Sequence, residues 1–499
     1  MVEQDNLTEK HLGSDGRPQY AVFLPAISSM FVTAVSKNRV AEDDNQIRAP
    51  AGIPSIEMLN HLNPDEGLFY YKWSLYSAGH ADMDVSRPSV RDAIIRDRHP
   101  DTLVVGDSGG YQIAKGVWSG NWLDPNDAKV QKLREGSLRW LEHISDYAMT
   151  LDVPPWLILS DEARAKTGIN TFGDAMHATQ INNEYFMANR KPVEEGGAKF
   201  LNVLQGSNYG ESDEWYENVK DYCDPSKYPN THFNGWSFAG QNACSAALAL
   251  RRIVTLMDDG LLEEGVHDWI HFLGLSRLEW AVLLTVIQRA IRRHHNPNLT
   301  ISFDCASPYL SAVNAHQYAY NDLKHDKKWV YRTERTIDDK KYANDTRLWR
   351  DVILQDGHLE VMEDSPISER MMIKDLCPRG VGYLNKAGKE TKSSWDTYSY
   401  AVLMAHNVHR HMVSVQEANR QHDAGAYPKS LMSHMLGVNI DQVIEEVFIV
   451  AKAHGKDAAF EVIAHYDKFL TGIHGSRGFV GKREVNAHSA FNSLFDVED

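Results

Sequence analysis

The sequence predicts an α/β chain: a (β/α)8 TIM barrel with an inserted segment and a helical C-terminal extension. Two observations predict it. Short apolar runs rich in β-branched and aromatic residues recur along the first 305 residues, and helical patterns lie between them. The runs are near-continuous rather than alternating, which suits parallel strands buried on both faces. Eight such units favour a closed barrel over an open sheet.

The runs, in order, are YAVFLPA (20–26), LFYYKWSLY (68–76), TLVVGD (102–107) and PWLILSD (155–161). KFLNVLQ (199–205), FNGWSFAG (233–240), WIHFLGLS (269–276) and LTISFD (299–304) complete the set. Between them, 245–259 and 277–293 repeat their apolar positions every three and four residues, as amphipathic helices do. The second ends in cationic residues, which the helix dipole favours there. After residue 305 the pattern changes. Residues 320–395 read as an inserted subdomain, 396–421 as a long barrel-closing helix, and 426–499 as the helical extension of a barrel spanning 1–425.

Composition narrows the function classes. The 499 residues are 42% hydrophobic and 24% charged, an ordinary globular balance. The polar N-terminus has no signal-peptide pattern, and no apolar run reaches the roughly 20 residues of a membrane span, so a cytoplasmic protein without a membrane partner is expected. The four cysteines form no CxxC pair, which argues against a disulfide framework or a four-cysteine zinc site. A net charge of −16 argues against holding nucleic acid by bulk electrostatics and leaves room only for a local basic face. Residues 324–342 carry seven Lys/Arg against four acids, and 475–484 form a second candidate stretch.

In a barrel of this kind the active site lies at the carboxyl ends of the strands. There the runs lead into Asp107-Ser108-Gly109-Gly110-Tyr111, Asp161-Glu162, Gln205-Gly206, Gly240-Gln241 and Asp304. Strands often end in such residues because loops begin there. Three acids abutting buried strands are harder to explain by loop chemistry alone. Two carboxylates facing one pocket suit glycosidic chemistry, one attacking the anomeric carbon and the other moving a proton to the leaving group. Gly109 and Gly110 would let a flat ligand approach the backbone. Tyr111 offers a stacking face, and Asp161 and Gln205 could read the edge of a purine.

These blocks resemble, in order through residues 20–420, those of the tRNA-guanine transglycosylases. DSGGYQ (107–112) resembles the family's DSGGFQ, SDEA (160–163) its FDEC, and LQGS (204–207) its VQGG. GWSFAGQNA (235–243), FLGLS (272–276), FDCASP (303–308) and AHNVHRHM (405–412) resemble further family blocks. The resemblance implies a double displacement. Asp304 would attack the anomeric carbon, and Asp107 would protonate the leaving guanine and deprotonate the incoming base. The sequence alone does not separate these two roles. The base would sit among Ser108, Gly109, Gly110, Tyr111, Asp161, Gln205, Gly206, Gly240, Gln241 and Leu273.

The sequence departs from the family at two places. After FDCxxP the family carries RNA-facing arginines, where this chain has Leu310 and Val313. At the family's structural zinc, Met371 and Ile373 stand at cysteine places, and only Cys377 and His406 remain nearby. The second departure implies no cofactor and a lost zinc, with His406 packing a helix instead. Both departures point to the branch of the family, found in phages and bacterial modification islands, that exchanges guanine in double-stranded DNA for a free 7-deazaguanine base such as 7-cyano-7-deazaguanine. Lys327, Lys328, Arg332 and Arg335 are the expected nucleic-acid contacts. Exchange on tRNA, a non-catalytic partner subunit and a generic barrel glycosidase are the rival readings. The oligomeric state is open.

Overall fold

The computed structural model describes residues 4–35, 50–80, 83–85, 93–351, 363–379 and 393–473. The basic stretch 475–484 and part of the insertion therefore lie outside the described residues.

Eight parallel strands form one sheet. They are β1 (Val22–Pro25), β2 (Trp73–Ser77), β3 (Leu103–Asp107), β4 (Tyr147–Met149), β5 (Lys199–Leu204), β6 (Gly235–Phe238), β7 (Trp269–Phe272) and β8 (Thr300–Cys305). Their spatial order follows the chain from β2 to β8, and β8 then pairs with β1. A parallel bridge between Ala26 and Leu75 joins the β1 and β2 ends of the sheet. This is the (β/α)8 barrel that the sequence predicts.

Helices surround it: α1 (Ser29–Val35), α2 (Ala128–Ile144), α3 (Phe172–Asn189), α4 (Tyr209–Val219), α5 (Ala246–Asp258) and α6 (Leu278–His294). Several starts are written in the sequence. Asp127 accepts the N–H groups of Lys129 and Val130, and Thr171 and Asp174 cap α3 reciprocally. The long helix α7 (Thr397–Asp423) packs between α6 and α1 and closes the ring. The extension contributes α8 (Ile440–His465), which lies on α5 and α6 and breaks at Gly455, where φ is +80°. Across the start of the insertion, β9 (His316–Asp322) and β10 (Val330–Arg335) form an antiparallel hairpin.

The fourth strand is a correction. The run PWLILSD forms a 3₁₀ helix, Pro155–Leu159, followed by a short helix Asp161–Thr167. Pro154 and Pro155 have no N–H to give a ladder, so this segment cannot continue as a central strand. The true strand, Tyr147–Met149, has only three residues and is too short to stand out by composition.

Strand register decides which side chains face inward. Ser302 lies beside His271, and His271 beside Ser237. Phe23 stacks on His411 of α7 with ring centroids 4.1 Å apart, so the odd-numbered side of β1 faces the helices. Phe303 is paired with Phe23 and shares that outer face, so Ser302 and Asp304 face the interior. Carried around the sheet, the same alternation turns Asp107, Gln205 and His271 inward as well.

Candidate active site

The rim at the carboxyl ends of the strands gathers three carboxylates. Asp304 ends β8 and is 8% exposed. Its Oδ1 accepts the Gly274 N–H at 2.9 Å and lies 3.2 Å from His271 Nε2. That second contact is electrostatic, since the ring nitrogen is not aligned for a hydrogen bond. His271 is fully buried, and its Nδ1 lies 2.9 Å from Ser302 Oγ, which also accepts the Trp269 indole N–H. The neighbouring carboxylate favours a proton on Nε2, leaving Nδ1 to accept from Ser302. Cys305, the next residue, faces the helices, and burial pushes its thiol up to about 12, which makes it inert.

Asp107 ends β3, and the Gly109 N–H approaches its Oδ1 at 3.4 Å. Gly109 has φ +93°, and a Cβ there would strike the Trp118 ring at 2.3 Å. Both facts require glycine. Ser108 is buried and donates to the Thr150 carbonyl, so its hydroxyl holds the loop. Tyr111 meets Trp156 with ring centroids 5.9 Å apart, and Lys115 Nζ stands 5.7 Å over the Tyr111 ring.

The third carboxylate is Asp152, which the sequence reading missed. It follows β4, is 6% exposed and accepts Gln205 Nε2 at 2.7 Å. Burial pushes its carboxyl up to about 7; Gln205 partly opposes this, and the charge of Asp107 adds to it. Gly110 packs directly on it, because a Cβ there would lie 2.7 Å from Asp152 Oδ1. Gln205 is itself anchored: its carbonyl accepts from Asn242, which in turn accepts from Ser212. Gly240, with φ +55°, lies against the Gly206 carbonyl and Gln205 Oε1. Gln241 donates its backbone N–H to Gly206, and its side-chain Oε1 has no hydrogen-bond partner among the described residues. Leu273 follows β7 and is partly buried against the core.

Asp161 is not brought into this group. It starts the helix after the misread run, its side chain is 93% exposed, and it pairs with Arg164. An inward acid at this rim has to follow a barrel strand, and moving the fourth strand back to 147–149 moves that acid to 152. The signal in the sequence was the acid three residues after Met149, in DYAMTLD.

The four cations expected to touch nucleic acid lie on or beside the β9–β10 hairpin. Arg332 pairs with Asp322 at 2.8 Å, while Lys327 and Lys328 sit at the tip. Arg335 ends β10 and is exposed. The tip is tied to the segment after α7, where the Lys429 N–H donates to the Lys327 carbonyl.

The residues at the zinc place do not fit a zinc ion. Both His406 nitrogens are engaged, Nδ1 with Ser365 Oγ at 2.7 Å and Nε2 with the Tyr318 carbonyl at 2.9 Å. Cys377 donates to the Ile337 carbonyl, and no group of three potential ligands occurs among the described residues. Asn407 fixes the hairpin base through Tyr318, Pro308 and His316.

The chain matches no protein-family model and no curated protein. No helix among the described residues is long and apolar enough to cross a membrane.

Proposed function

We propose that this chain is a guanine-exchanging transglycosylase that acts on DNA and inserts a 7-deazaguanine base such as 7-cyano-7-deazaguanine. What supports this most is one rim carrying Asp304, Asp107 and a buried Asp152–Gln205 pair beside close-packed glycines. These are the groups that a nucleophile, a proton carrier and a purine reader require.

In this reading Asp304 attacks C1′ of the target nucleotide as the C1′–N9 bond breaks. Asp107 gives its proton to the departing guanine, which leaves neutral. The Asp107 carboxylate then takes the N9 proton of the incoming base. N9 attacks C1′ and releases Asp304, so the configuration is retained overall. The Gly274 N–H and His271 hold the Asp304 carboxylate in place for attack. Asp152 takes the role first expected of Asp161: once ionised it accepts the N1–H and amino hydrogens of the base, while the base lies against Gly110 and Gly240. Tyr111 and Trp156 supply an aromatic wall. A duplex substrate requires the target nucleotide to leave the stack. The choice of DNA rests on Leu310 and Val313, which put no arginine on the helix Ser307–Val313 after β8.

The test is to incubate the protein with 7-cyano-7-deazaguanine and either guanine-containing duplex DNA or bulk tRNA. Each polymer is then digested to nucleosides and examined by mass spectrometry, with Asp304→Ala alongside. A 7-deazaguanine deoxynucleoside that is absent with the variant is the expected result. Modified ribonucleoside alone would move the polymer assignment to tRNA. Product from neither polymer would overturn the exchange reading.

A further inference from the structure

A cavity of about 510 Å³ opens where the C-terminal extension meets the barrel rim. Four cations from four separate parts of the chain line it. Arg277 precedes α6, Lys328 comes from the hairpin tip, Lys429 follows α7, and Lys468 lies in the helix Asp467–Leu470 after α8. Among the described residues none of the three lysines forms an ion pair with a carboxylate, although Lys166, Lys220, Lys227 and Lys456 all do. Such a gathering of cations is unexpected in a chain of net charge −16.

The helix dipole adds to these charges. The cavity lies at the N-terminus of α6, a 17-residue helix. Trp280, fully buried, forms part of the cavity wall. One acid, Glu279, also lines the cavity. Burial raises its pKa, while the nearby charges of Arg277 and Lys328 oppose that rise, so part of their charge is spent on this acid.

The position relates this cavity to the proposed chemistry. The Gly274 N–H holds the nucleophile Asp304, and Arg277 follows only three residues later. Three residues reach at most ~10 Å. Phosphates of one duplex strand advance about 3.4 Å per nucleotide along the axis and lie farther apart through space, so ~10 Å spans at most about three nucleotides.

We infer that this cavity binds a phosphodiester of the polymer backbone and anchors the strand beside the nucleotide being exchanged. The inference rests on the transglycosylase reading for its substrate and on the assembled cations for its location. Phosphate contact fixes the register of a strand and carries no base sequence. The acidic chain would thus hold nucleic acid through one assembled cradle rather than through a basic run.

The test uses fluorescence anisotropy with a labelled guanine-containing duplex over a range of salt. The full-length chain is compared with a Lys328→Gln, Lys429→Gln, Lys468→Gln variant. A control variant, Lys132→Gln, Lys191→Gln, Lys227→Gln, makes the same change in net charge elsewhere. Thermal unfolding establishes that both variants fold. The cavity variant should bind about 10- to 100-fold more weakly near 0.15 M salt. Its slope of log K against log salt should shrink by about 0.9 for each phosphate that is no longer neutralised, up to about 3. The control should keep the slope of the parent chain. Binding with an unchanged slope in the cavity variant would overturn the phosphate site while leaving the exchange reading standing. Lysine-dependent binding of inorganic phosphate or a mononucleotide, with no effect on the duplex, would also overturn it and assign the cavity to a free ligand. Failure of the parent chain to bind duplex DNA or tRNA would instead remove the polymer reading itself.

Discussion

His271 and Asp304 stand on adjacent strands with Nε2 3.2 Å from Oδ1, and the imidazole is completely buried beneath the carboxylate. The ring is fixed from behind by Ser302, which is fixed in turn by Trp269. His271 is therefore a positioning residue for the proposed nucleophile. His271→Leu should lower the exchange rate constant about 10- to 100-fold and leave the KM for the free base within about twofold, because it misplaces the attacking atom and not the base. His271→Gln keeps a donor near Nε2 and should recover much of the loss. A rise in KM with an unchanged rate constant would remove this role.

Asp152 and Asp161 make opposite predictions. Asp152→Ala should weaken binding of guanine or 7-cyano-7-deazaguanine at least about tenfold, the effect of losing a charged hydrogen-bond partner worth roughly 1.5–3 kcal/mol. Asp161→Ala removes an exposed side chain and should change neither base affinity nor exchange by more than about twofold. Calorimetric titration of each variant with the free base separates them.

The buried Asp152 also sets a pH dependence. Its ordinary value is 3.8 and burial raises it to about 7, so between these limits the folded chain holds a proton that the unfolded chain has released. Stability therefore falls as pH rises from about 4 to about 7, and this contribution is flat above that. At about 1.4 kcal/mol per pH unit the full loss is up to about 4 kcal/mol. Asp152→Asn, which still accepts from Gln205, should raise the unfolding midpoint at pH 8 and leave it nearly unchanged at pH 4. Free-base affinity of the parent chain should rise as pH passes through about 7, where the folded chain's carboxylate forms.

His422 gives the same sign in a different window. It lies 2.9 Å from Asp441 at the start of α8 and 3.8 Å from Asp423, linking the barrel to the extension. Burial alone would lower its pKa, but the two carboxylates outweigh this and raise it to about 9. This stabilisation is complete below pH 6.5 and is lost as pH rises through about 9, up to about 3 kcal/mol in all. His422→Gln should lower the urea midpoint at pH 6 and have little effect at pH 10.

Glycine at 240 serves two purposes that one comparison separates. Gly240 and Gly260 both have positive φ, at +55° and +70°, but a Cβ at 260 meets nothing within 4 Å while one at 240 meets the Gly206 carbonyl at 2.8 Å. Gly260→Ala should cost about 1 kcal/mol from backbone strain alone. Gly240→Ala should cost more, and should also weaken base binding because Gln205 Oε1 lies 3.2 Å from the added carbon. Equal losses of stability with unchanged base affinity would show that the close approach relaxes.

Much of the fold was legible in the residues. Seven of the eight strands lie where apolar runs fall, because a strand buried on both faces needs such a run. Asp107, Gln205 and Asp304 lie at strand ends as expected for the same reason, since each stands at or next to the carboxyl end of one of those strands. Asp152 was hidden because β4 has only three residues, and an apolar segment after two prolines imitated a strand more convincingly than the strand itself.

The sequence by itself determined the barrel, its long closing helix and the acids that end long strands, since each follows from local composition and period. Tertiary structure alone decided the rest. Register turned His271 toward Asp304, burial beside Asp107 raised Asp152, and the meeting of four distant segments placed Arg277, Lys328, Lys429 and Lys468 around one cavity. Desolvation and charge depend on neighbours in space, and here those neighbours come from strands and helices far apart along the chain.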